Sequence, residues 1–232
     1  PSDIVFAGNP PKAYVSCMTD RTVMVIDPLE YGRVATISVP GDSPRGLLAS
    51  EDGMTVWVAI SRSGNKTTIA PHTAASEPPA PQNVSLPLAP RQGMIVDVED
   101  PDWQSLQVTL PDNDVIELDT TRDAVRRIYH SVGTNLFQMA SRPHTSELWI
   151  ANTDSRNRVR FESALRGHVV DNRITRITVG DDACSRIIEL NPCVDYQRPG
   201  DDEARALALA QPTDIAFSPD GNVAYVAAFG SD

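Results

Sequence analysis

Lysine, cysteine, histidine and long apolar runs are all scarce in this sequence of 232 residues. Its 31 acidic residues exceed its 20 basic ones, which gives a formal net charge of −11. A nucleic-acid-binding protein carries a basic patch and a polybasic membrane anchor carries clustered basic residues, so this balance argues against both classes. No apolar run approaches the roughly 20 residues that cross a bilayer. We therefore expect no membrane span.

The rest of the composition is that of a folded chain with many turns. Hydrophobic residues make up 41% and charged residues 22%, which is typical of a globular protein rather than a disordered one. The 19 prolines outnumber the 13 glycines, and long helical patterns are few. Such turn-rich chains fold mostly as β-structure, so the composition indicates an all-β protein.

A four-fold internal repeat indicates the architecture. Each copy starts with a short apolar strand, passes through a tight turn, and continues as a second strand with an aromatic residue at the same place. In the fourth copy, Pro219, Asp220 and Gly221 suit a hairpin, because proline presets φ and glycine accepts a left-handed conformation. The aromatic residues are Tyr14, Trp57, Trp149 and Tyr225.

Two further strands follow the first pair and complete a unit of four antiparallel strands. Residues 21–27 and 33–39 form such a second pair, and residues 114–119 and 124–129 repeat it. A unit of about 43 residues has the size of a β-propeller blade. The sequence therefore predicts an all-β partial β-propeller of about three and a half four-stranded antiparallel blades. Blade one spans residues 1–43, blade two 44–134, blade three 135–210, and the start of blade four 211–232.

Three insertions lengthen the repeat, at residues 62–111 in blade two and at residues 155–172 and 191–210 in blade three. In a four-stranded blade, the connections from strand two to strand three and from strand four to the next blade emerge on one face of the disc. The insertions are therefore expected on one face, which in repeat proteins often marks the binding face. The alternative is that they are long loops without a ligand, which chain entropy tolerates.

The predicted blades do not make a closed ring. About three and a half blades would leave an open end with unpaired strand edges. We therefore interpret the sequence as part of a propeller whose remaining blades come from missing residues or from another polypeptide. These blades are the first partner that the sequence predicts.

The repeat resembles the YVTN-type β-propeller repeat. The resemblance rests on residues 12–16 followed by 22–27, and more closely on residues 222–227 after the turn at 218–221. It covers nearly all of the chain outside the insertions, and it is specific for the fold but not for an activity. Such propellers are typically bacterial or archaeal envelope proteins. The resemblance therefore implies a periplasmic or extracellular location, with another envelope protein as a partner.

Four shorter segments resemble one bacterial subfamily in which a c-type cytochrome segment follows the propeller. These are residues 63–68, 110–115, 151–153 and 227–231. Covalent attachment of haem c needs Cys-x-x-Cys-His, which this sequence lacks. The resemblance therefore implies haem c in a segment outside residues 1–232, and it assigns no cofactor to the chain itself.

Polar residues close to the start of each first strand are expected at the mouth of the central channel. Asp3, Arg45 and Asp214 hold such places, and a mixed ring of carboxylates and guanidinium could bind a polar ligand. Polar side chains in a channel also serve to hold water, and this second interpretation stays open.

Histidines and cysteines offer a few candidate ligand atoms. His72 and His168 lie in insertions and are candidate metal or haem ligands in the assembled protein, although a solvent-exposed histidine without a ligand is the commoner case. Cys184 and Cys193 are candidates for a disulfide in an oxidising compartment, unless antiparallel geometry holds them apart. The absence of paired Cys-x-x-Cys spacing argues against structural zinc.

Acidic clusters are the remaining candidates for a metal site. They occur at residues 97–102, 112–114 and 181–182, and calcium favours oxygen-rich loops of this kind. None of them matches the regular calcium-binding loop. Turn formation by Asp and Asn is the simpler explanation, and calcium is the alternative.

The sequence favours a binding or assembly scaffold of a bacterial envelope β-propeller protein, with a periplasmic c-type cytochrome redox protein as the candidate context. The alternative is an enzyme built on the propeller, such as a periplasmic oxidoreductase subunit or a lactonase-like hydrolase. A metal or haem held by His72 or His168 would favour the enzyme. A cell-surface interaction module is the third hypothesis.

Overall fold

Almost all regular structure in this chain is β-strand. The computed structural model describes residues 1–65, 67–74, 80–81, 83–88, 94–97, 101, 103, 105–106, 110–156, 168, 170–180, 185–196 and 202–230. The strands within these residues are β1 (Ile4–Ala7), β2 (Lys12–Cys17), β3 (Thr22–Ile26), β4 (Arg33–Ser38), β5 (Asp42–Ala49), β6 (Thr55–Arg62), β7 (Thr67–Ala70), β8 (Met94–Asp97), β9 (Val115–Asp119), β10 (Ala124–Tyr129), β11 (Asn135–Ser141), β12 (Glu147–Ser155), β13 (Val170–Thr178), β14 (Ser185–Glu189), β15 (Pro212–Phe217) and β16 (Ala224–Ala228). One short helix, α1 (Asp202–Ala206), precedes β15.

Four antiparallel sheets follow one another along the chain. Sheet 1 has the strand order β1-β2-β3-β4, sheet 2 has β5-β6-β9-β10, and sheet 3 has β11-β12-β13-β14. Sheet 4 contains β15 and β16 within the described residues. Each sheet is a meander in which every strand pairs with the next strand of the same unit. The prediction of an all-β partial propeller with four-stranded antiparallel blades is confirmed.

The insertions add structure of their own between these strands. In the first insertion, β7 pairs with β8 as a separate hairpin, with Thr67 opposite Asp97. The blade strands also reach further than the sequence predicted, because β6 continues through Arg62 and β13 begins at Val170. Helix α1 lies in the third insertion and has five residues. In the part of the chain that the structure describes, no helix is both long and apolar enough to cross a bilayer.

The apolar core lies at the junctions between neighbouring sheets. Val25 of β3 packs in one cluster with Val58 and Leu118 of sheet 2. Burying one such side chain contributes roughly 1.5–3 kcal/mol, so each junction is stabilised by its own set of apolar contacts. The same arrangement joins sheets 2 and 3 through Trp57, Leu136, Ile150 and Ile177, and sheets 3 and 4 through Ile174, Ile215 and Phe217.

The hairpin turns of sheets 2 and 4 have the same chemistry. Gly53 and Gly221 each have φ of +69°, which is the left-handed conformation that their place in the sequence predicts. Before each glycine, a serine hydroxyl donates to the carboxylate two residues later, at 2.6 Å in the first turn and 2.5 Å in the second. These local hydrogen bonds fix the register of the strands on either side.

The repeated aromatic residue packs against the next sheet along the chain. Tyr14 reaches the β9–β10 turn of sheet 2, and Trp57 joins the apolar cluster with sheet 3. Trp149 meets Phe217 of sheet 4 edge to face, with ring centroids 5.1 Å apart. Tyr225 holds the same register in sheet 4 and is 64% exposed. The four residues lie opposite Val5, Leu48, Ala140 and Ala216, in that order.

Replacing Tyr14 by phenylalanine should lower the free energy of unfolding by about 2 kcal/mol. The Tyr14 hydroxyl donates to Oδ1 of Asp123 at 2.6 Å, and the Lys12 Nζ lies 2.6 Å from the same oxygen. Burial raises the pKa of Tyr14, so the phenol stays protonated and keeps this hydrogen bond. Urea unfolding measures the loss. The matched control is Tyr31→Phe, an exposed phenol that should change nothing, and a loss below about 0.5 kcal/mol in Tyr14→Phe would contradict the assignment.

Candidate functional site

Asp114 is a buried carboxylate at the neck of the first insertion. It stands directly before β9, and Ser63 stands directly after β6, so the two residues lie close to the two ends of the insertion. The Ser63 hydroxyl donates to Oδ1 of Asp114, and the backbone N–H groups of Val132 and Gly133 donate to Oδ2, the latter at 3.1 Å. Burial raises the pKa of Asp114 to about 7, and these three donors oppose the rise. The carboxylate thus ties the insertion to the connection between sheets 2 and 3.

Arg173 of β13 extends this buried polar network into sheet 3. Its Nε donates to Oδ1 of Asn152 at 2.9 Å, and its Nη2 donates to the carbonyl of Val132 at 2.8 Å. Its Nη1 lies 2.9 Å from Oδ2 of Asp154, and the Arg173 side chain is 7% exposed. Burial raises the pKa of Asp154, while the neighbouring guanidinium favours its ionised form. The pair is therefore a largely buried ion pair with hydrogen bonds on both sides.

Asp154 also joins the first insertion to the second. It lies near the end of β12, where the second insertion begins, and its Oδ1 accepts a hydrogen bond at 2.6 Å from Nδ2 of Asn65. Asn65 lies at the start of the first insertion and has φ of +40°, a conformation that asparagine tolerates better than most residues. The two connections therefore leave sheets 2 and 3 side by side.

A second contact joins the second insertion to the third. The His168 ring stacks on the Tyr196 ring with centroids 3.4 Å apart and planes 8° apart. The Nε2 of His168 lies 2.8 Å from Oδ1 of Asp171, and the Arg156 guanidinium lies 3.4 Å from the other oxygen of that carboxylate. Asp171 stands near the start of β13. A strand carboxylate therefore lies beside the histidine that stacks on the tyrosine of the next insertion.

All three insertions thus meet at one end of the sheets, as predicted. Their described contact residues form a polar set that combines carboxylates with an imidazole, a phenol, a guanidinium and an amide. Such a set suits a polar ligand or the polar surface of another protein. We call it the insertion surface, and it consists of Asn65, Asp154, Arg156, His168, Asp171 and Tyr196.

The two candidate histidine ligands have different surroundings in the described structure. His72 is exposed in the first insertion, and His168 is engaged with Tyr196 and Asp171. Among the described residues, no group of three or more His, Cys, Asp or Glu side chains is placed to hold a metal ion. Cys193 is exposed, and its predicted partner Cys184 lies outside the described residues, so the disulfide stays a prediction.

The acidic run at residues 112–114 closes a turn. Asp112 accepts hydrogen bonds from the N–H of Ser131 at 2.9 Å and from its hydroxyl at 3.0 Å, and Asn113 donates to the carbonyl of Pro40. The run at 97–102 lies largely, and the run at 181–182 wholly, outside the described residues. A calcium site in these runs stays a prediction.

Asp3, one of the residues predicted at the channel mouth, is used inside the scaffold. Its Oδ2 accepts hydrogen bonds from the N–H of Leu47 at 2.8 Å and from Nε2 of Gln138 at 2.7 Å, so it links sheets 1, 2 and 3. A Cβ on the intervening Gly46 would lie 2.5 Å from the carbonyl oxygen of Phe137, so glycine is required at this crossing. The Asp3 carboxylate therefore has a structural role, and any ligand binding would be additional to it.

Arg45 and Asp214, the other two predicted channel residues, are exposed. The guanidinium of Arg45 lies 5.0 Å from the ring centroid of Phe137, and Asp214 accepts a hydrogen bond from the N–H of Ile215 at 2.8 Å. No described contact joins the three predicted residues into a ring, and ligand binding by them stays a prediction.

A cleft of about 630 Å³ lies between sheets 2 and 3 at the end opposite the insertions. Trp57, Arg142, His144 and Glu147 are among the residues that line it. The Arg142 guanidinium is 3.3 Å from Glu147, and the additional carboxylates of Glu51 and Asp52 give the cleft an excess of negative charge. The cleft is lined by short hairpin turns that contain none of the three insertions.

Sequence reasoning missed Arg173, Asp154, Asp171 and Gln138 as partners in these contacts. Three of the four lie within the predicted strands or at their edge, where nothing in the alternating pattern marks a polar residue as buried. A usable signal was available for Gln138. Gln138 directly precedes Met139, and Asp3 directly precedes Ile4, which holds the same position in sheet 1 as Met139 does in sheet 3. Gln138 is therefore the residue of the third repeat that corresponds to Asp3.

Comparisons with known proteins support the fold. No protein-family model matches the sequence, and no curated protein matches it. The chain is similar to the β-propeller domain of Cps50 (Swd1) from Myceliophteria thermophila, with a TM-score of 0.53 and 10% identity, over 97% of this chain and 50% of that one. It is also similar to Kuenenia stuttgartiensis hydrazine synthase, with a TM-score of 0.43 and 18% identity, over 93% of this chain and 58% of that one. The chain spans between half and three fifths of these two proteins.

Proposed function

We propose that this chain is a binding or assembly scaffold of a bacterial envelope β-propeller protein and that its partner binds at the insertion surface. One observation carries the proposal: the three insertions start or meet at one end of the sheets, where Asn65 of the first contacts Asp154, directly before the second, and His168 of the second stacks on Tyr196 of the third. Loops held on a rigid scaffold are where many folds place their binding residues.

The strand residues within the insertion surface support a binding role for it, because they attach the insertions to the sheets. Asp154 and Asp171 belong to strands; Asp154 accepts a hydrogen bond from Asn65, and Asp171 lies 2.8 Å from Nε2 of His168. Arg173 in turn holds Asp154 from within the core. A surface that is already ordered loses less conformational entropy when a partner binds, which improves affinity.

The proposed partner is another envelope protein with a polar contact surface. The chemistry of the insertion surface supports this choice, because its side chains are charged, amide, imidazole and phenol groups. A periplasmic or extracellular location rests on the resemblance to YVTN-type repeats. Further blades, from missing residues or from another chain, are part of the proposal, and the exposed position of Tyr225 supports them.

The finer assignment to a c-type cytochrome redox protein rests on the resemblance of four short segments. The residues present do not fit covalent attachment of haem c, because the sequence lacks Cys-x-x-Cys-His, and we therefore assign no haem contact to His72 or His168. Visible absorbance of the full protein tests this assignment. A c-type band supports the redox context, and its absence overturns that context while leaving the scaffold.

A propeller enzyme, such as a periplasmic oxidoreductase subunit or a lactonase-like hydrolase, is the second candidate. The pair of His168 and Asp171 favours it, because Nε2 of the imidazole lies 2.8 Å from a carboxylate oxygen, and imidazole–carboxylate pairs serve in acid–base catalysis. Turnover of a lactone or of a redox dye that is lost in His168→Asn would support the enzyme. Partner binding with no turnover in either assay would contradict it.

Photo-cross-linking from each end of the sheets tests the scaffold. A photo-reactive residue in place of Arg156, which is 42% exposed in the insertion surface, should give an adduct with the partner in native cells. The same residue in place of exposed Thr145, in a hairpin turn at the opposite end, should give none. Equal adducts from both positions would contradict the proposal.

Replacing Tyr196 by alanine in the cross-linking protein should lower the adduct yield about tenfold, as expected for a central aromatic contact. The change removes the ring on which His168 stacks and so separates the second insertion from the third. The melting temperature should change little, because both residues lie in insertions. The matched control is Tyr31→Ala in the β3–β4 turn, and an unchanged yield in Tyr196→Ala would count against the insertion surface.

A further inference from the structure

Three side chains form a row across the face of sheet 3 that is turned toward sheet 4. Trp149, Arg176 and Arg186 are direct neighbours across β12, β13 and β14. All three line a cleft of about 360 Å³ between the two sheets. Phe217 of β15 covers the tryptophan at the inner end of the row, while the arginines lie on the two outer strands.

The cleft carries more positive than negative charge. Arg142 and Arg176 share Glu147, with each guanidinium 3.3 Å from a different carboxylate oxygen. Arg186 is exposed, and the structure gives it no ion pair in the part of the chain that it describes. Among the described residues, three guanidinium groups therefore share one carboxylate, in a chain whose formal net charge is −11. Carboxylates are the groups that complement this local excess.

In sheets 1 and 2, whose next sheet along the chain has four strands, the residue equivalent to Arg176 is buried. Val25 of sheet 1 and Glu117 of sheet 2 lie beside the repeated aromatic residue, as Arg176 does in sheet 3. Val25 is fully buried, and it packs in one cluster with Leu118, which belongs to the third strand of the next sheet. Arg176 is 28% exposed, next to a sheet with two described strands. A third strand beside β16 would cover it.

We propose that sheet 4 accepts, as its third strand against β16, an extended segment that carries carboxylate side chains toward Arg176 and Arg186. The backbone groups at the edge of β16 would pair with this segment, and the arginines would select its charge. The register places one carboxylate opposite Ala224, because Leu118 and Ile177 lie opposite the equivalent Val56 and Leu148. A second carboxylate follows two residues away on the same face.

This inference rests on the proposed completion of the propeller, because both require a further strand to pair with the edge of β16. The selection of an acidic strand is a separate claim. An uncharged strand that pairs with β16 equally well would leave the completion in place and overturn the selection.

Peptide binding to the purified chain tests the inference. A fluorescently labelled peptide of about eight residues, alternating Glu with Val, should bind with a dissociation constant about tenfold below that of the Gln–Val peptide. Binding should quench or shift the emission of Trp149, which lines the cleft. The Glu–Val peptide with N-methyl groups on alternate residues should lose binding, because it cannot form the backbone pairing.

Charge reversal locates the selection in the arginines. Arg186→Glu should weaken the Glu–Val peptide about tenfold and favour a Lys–Val peptide instead. Arg33→Glu is the matched control, because it reverses an exposed arginine in β4 and should leave both affinities unchanged. Three results would each overturn the proposal: equal affinity for Glu and Gln peptides, binding that survives N-methylation, or an Arg186→Glu variant that binds as the parent does.

Discussion

Arg173→Leu should lower the free energy of unfolding by about 3–5 kcal/mol, the loss expected when one partner of a buried ion pair is removed. The substitution leaves Asp154 without its cation and Oδ1 of Asn152 without its donor, while the carbonyl of Val132 keeps only the hydrogen bond from the Thr175 hydroxyl. These groups lie at the junction of sheets 2 and 3, directly beneath the insertion surface. The variant should therefore weaken both the fold and the presentation of the insertions.

Urea unfolding measures this loss as a lower midpoint with an unchanged dependence on denaturant. Arg186→Leu is the matched control, since Arg186 is an exposed arginine on the neighbouring strand and should cost less than about 0.5 kcal/mol. The double variant with Asp154→Leu should recover part of the loss, because no buried charge is then left unpaired. A loss below about 1 kcal/mol in Arg173→Leu would mean that the network does not hold the junction together.

Folding stability should fall as the pH rises from about 5 to 8, and Asp114→Asn should abolish most of this dependence. Burial raises the pKa of Asp114 to about 7, above its ordinary value of 3.8. Between these values the folded chain holds a proton that the unfolded chain has lost, so stability is highest on the acidic side of the window. The expected difference between pH 5 and pH 8 is about 2 to 3 kcal/mol.

The geometry of Ser63 explains how both protonation states are accommodated. The Ser63 hydroxyl faces Asp114 and also lies 3.3 Å from the carbonyl of Pro111. A protonated Asp114 can donate to Ser63, which then donates to Pro111, while Oδ2 still accepts from the two backbone N–H groups. The side-chain amide that Asp114→Asn introduces would make the same set of bonds at every pH, so this variant imitates the protonated form.

Urea unfolding of both proteins between pH 5 and pH 8 measures this effect. Asp112→Asn is an informative control, because the Asp112 charge also raises the pKa of Asp114. Its removal should lower the pKa of Asp114 and so reduce the pH dependence of stability without abolishing it. Below about pH 4 other carboxylates begin to lose the stability that their depressed pKa values provide, so the comparison stops above that point. The same slope in the parent and in Asp114→Asn would contradict the assignment.

The fold could be predicted because residues that are close together in the sequence identify each copy of the repeat. Tyr14, Trp57, Trp149 and Tyr225 recur at one register, and Gly53 and Gly221 recur at the turn before the second strand. Each of these signals acts within about ten residues of chain, through strand alternation or through turn conformation. The order of the sheets follows from such local units without any knowledge of distant contacts.

The candidate site could be predicted in outline only. The sequence placed the insertions at one end and singled out His168, but it gave no partner for this histidine. Its partners, Tyr196 and Asp171, come from the third insertion and from β13. Asp3 was expected to serve a ligand, and the structure shows its carboxylate bound to Leu47 and Gln138. In both cases the neighbours are distant in sequence, and neither strand nor turn periodicity reports on them.

The sequence by itself determined the class of this protein: an acidic, all-β chain of repeated four-stranded sheets, with its extra length collected in three insertions. Alternation and turn chemistry are local, and they are enough to specify strands, hairpins and repeat order. The tertiary structure decided which side chains share one environment. It brought Asp154 against Arg173, stacked His168 on Tyr196, and buried Asp114 deeply enough to change its ionisation. Electrostatic contacts of this kind depend on distance and burial in three dimensions, which only the packed sheets supply.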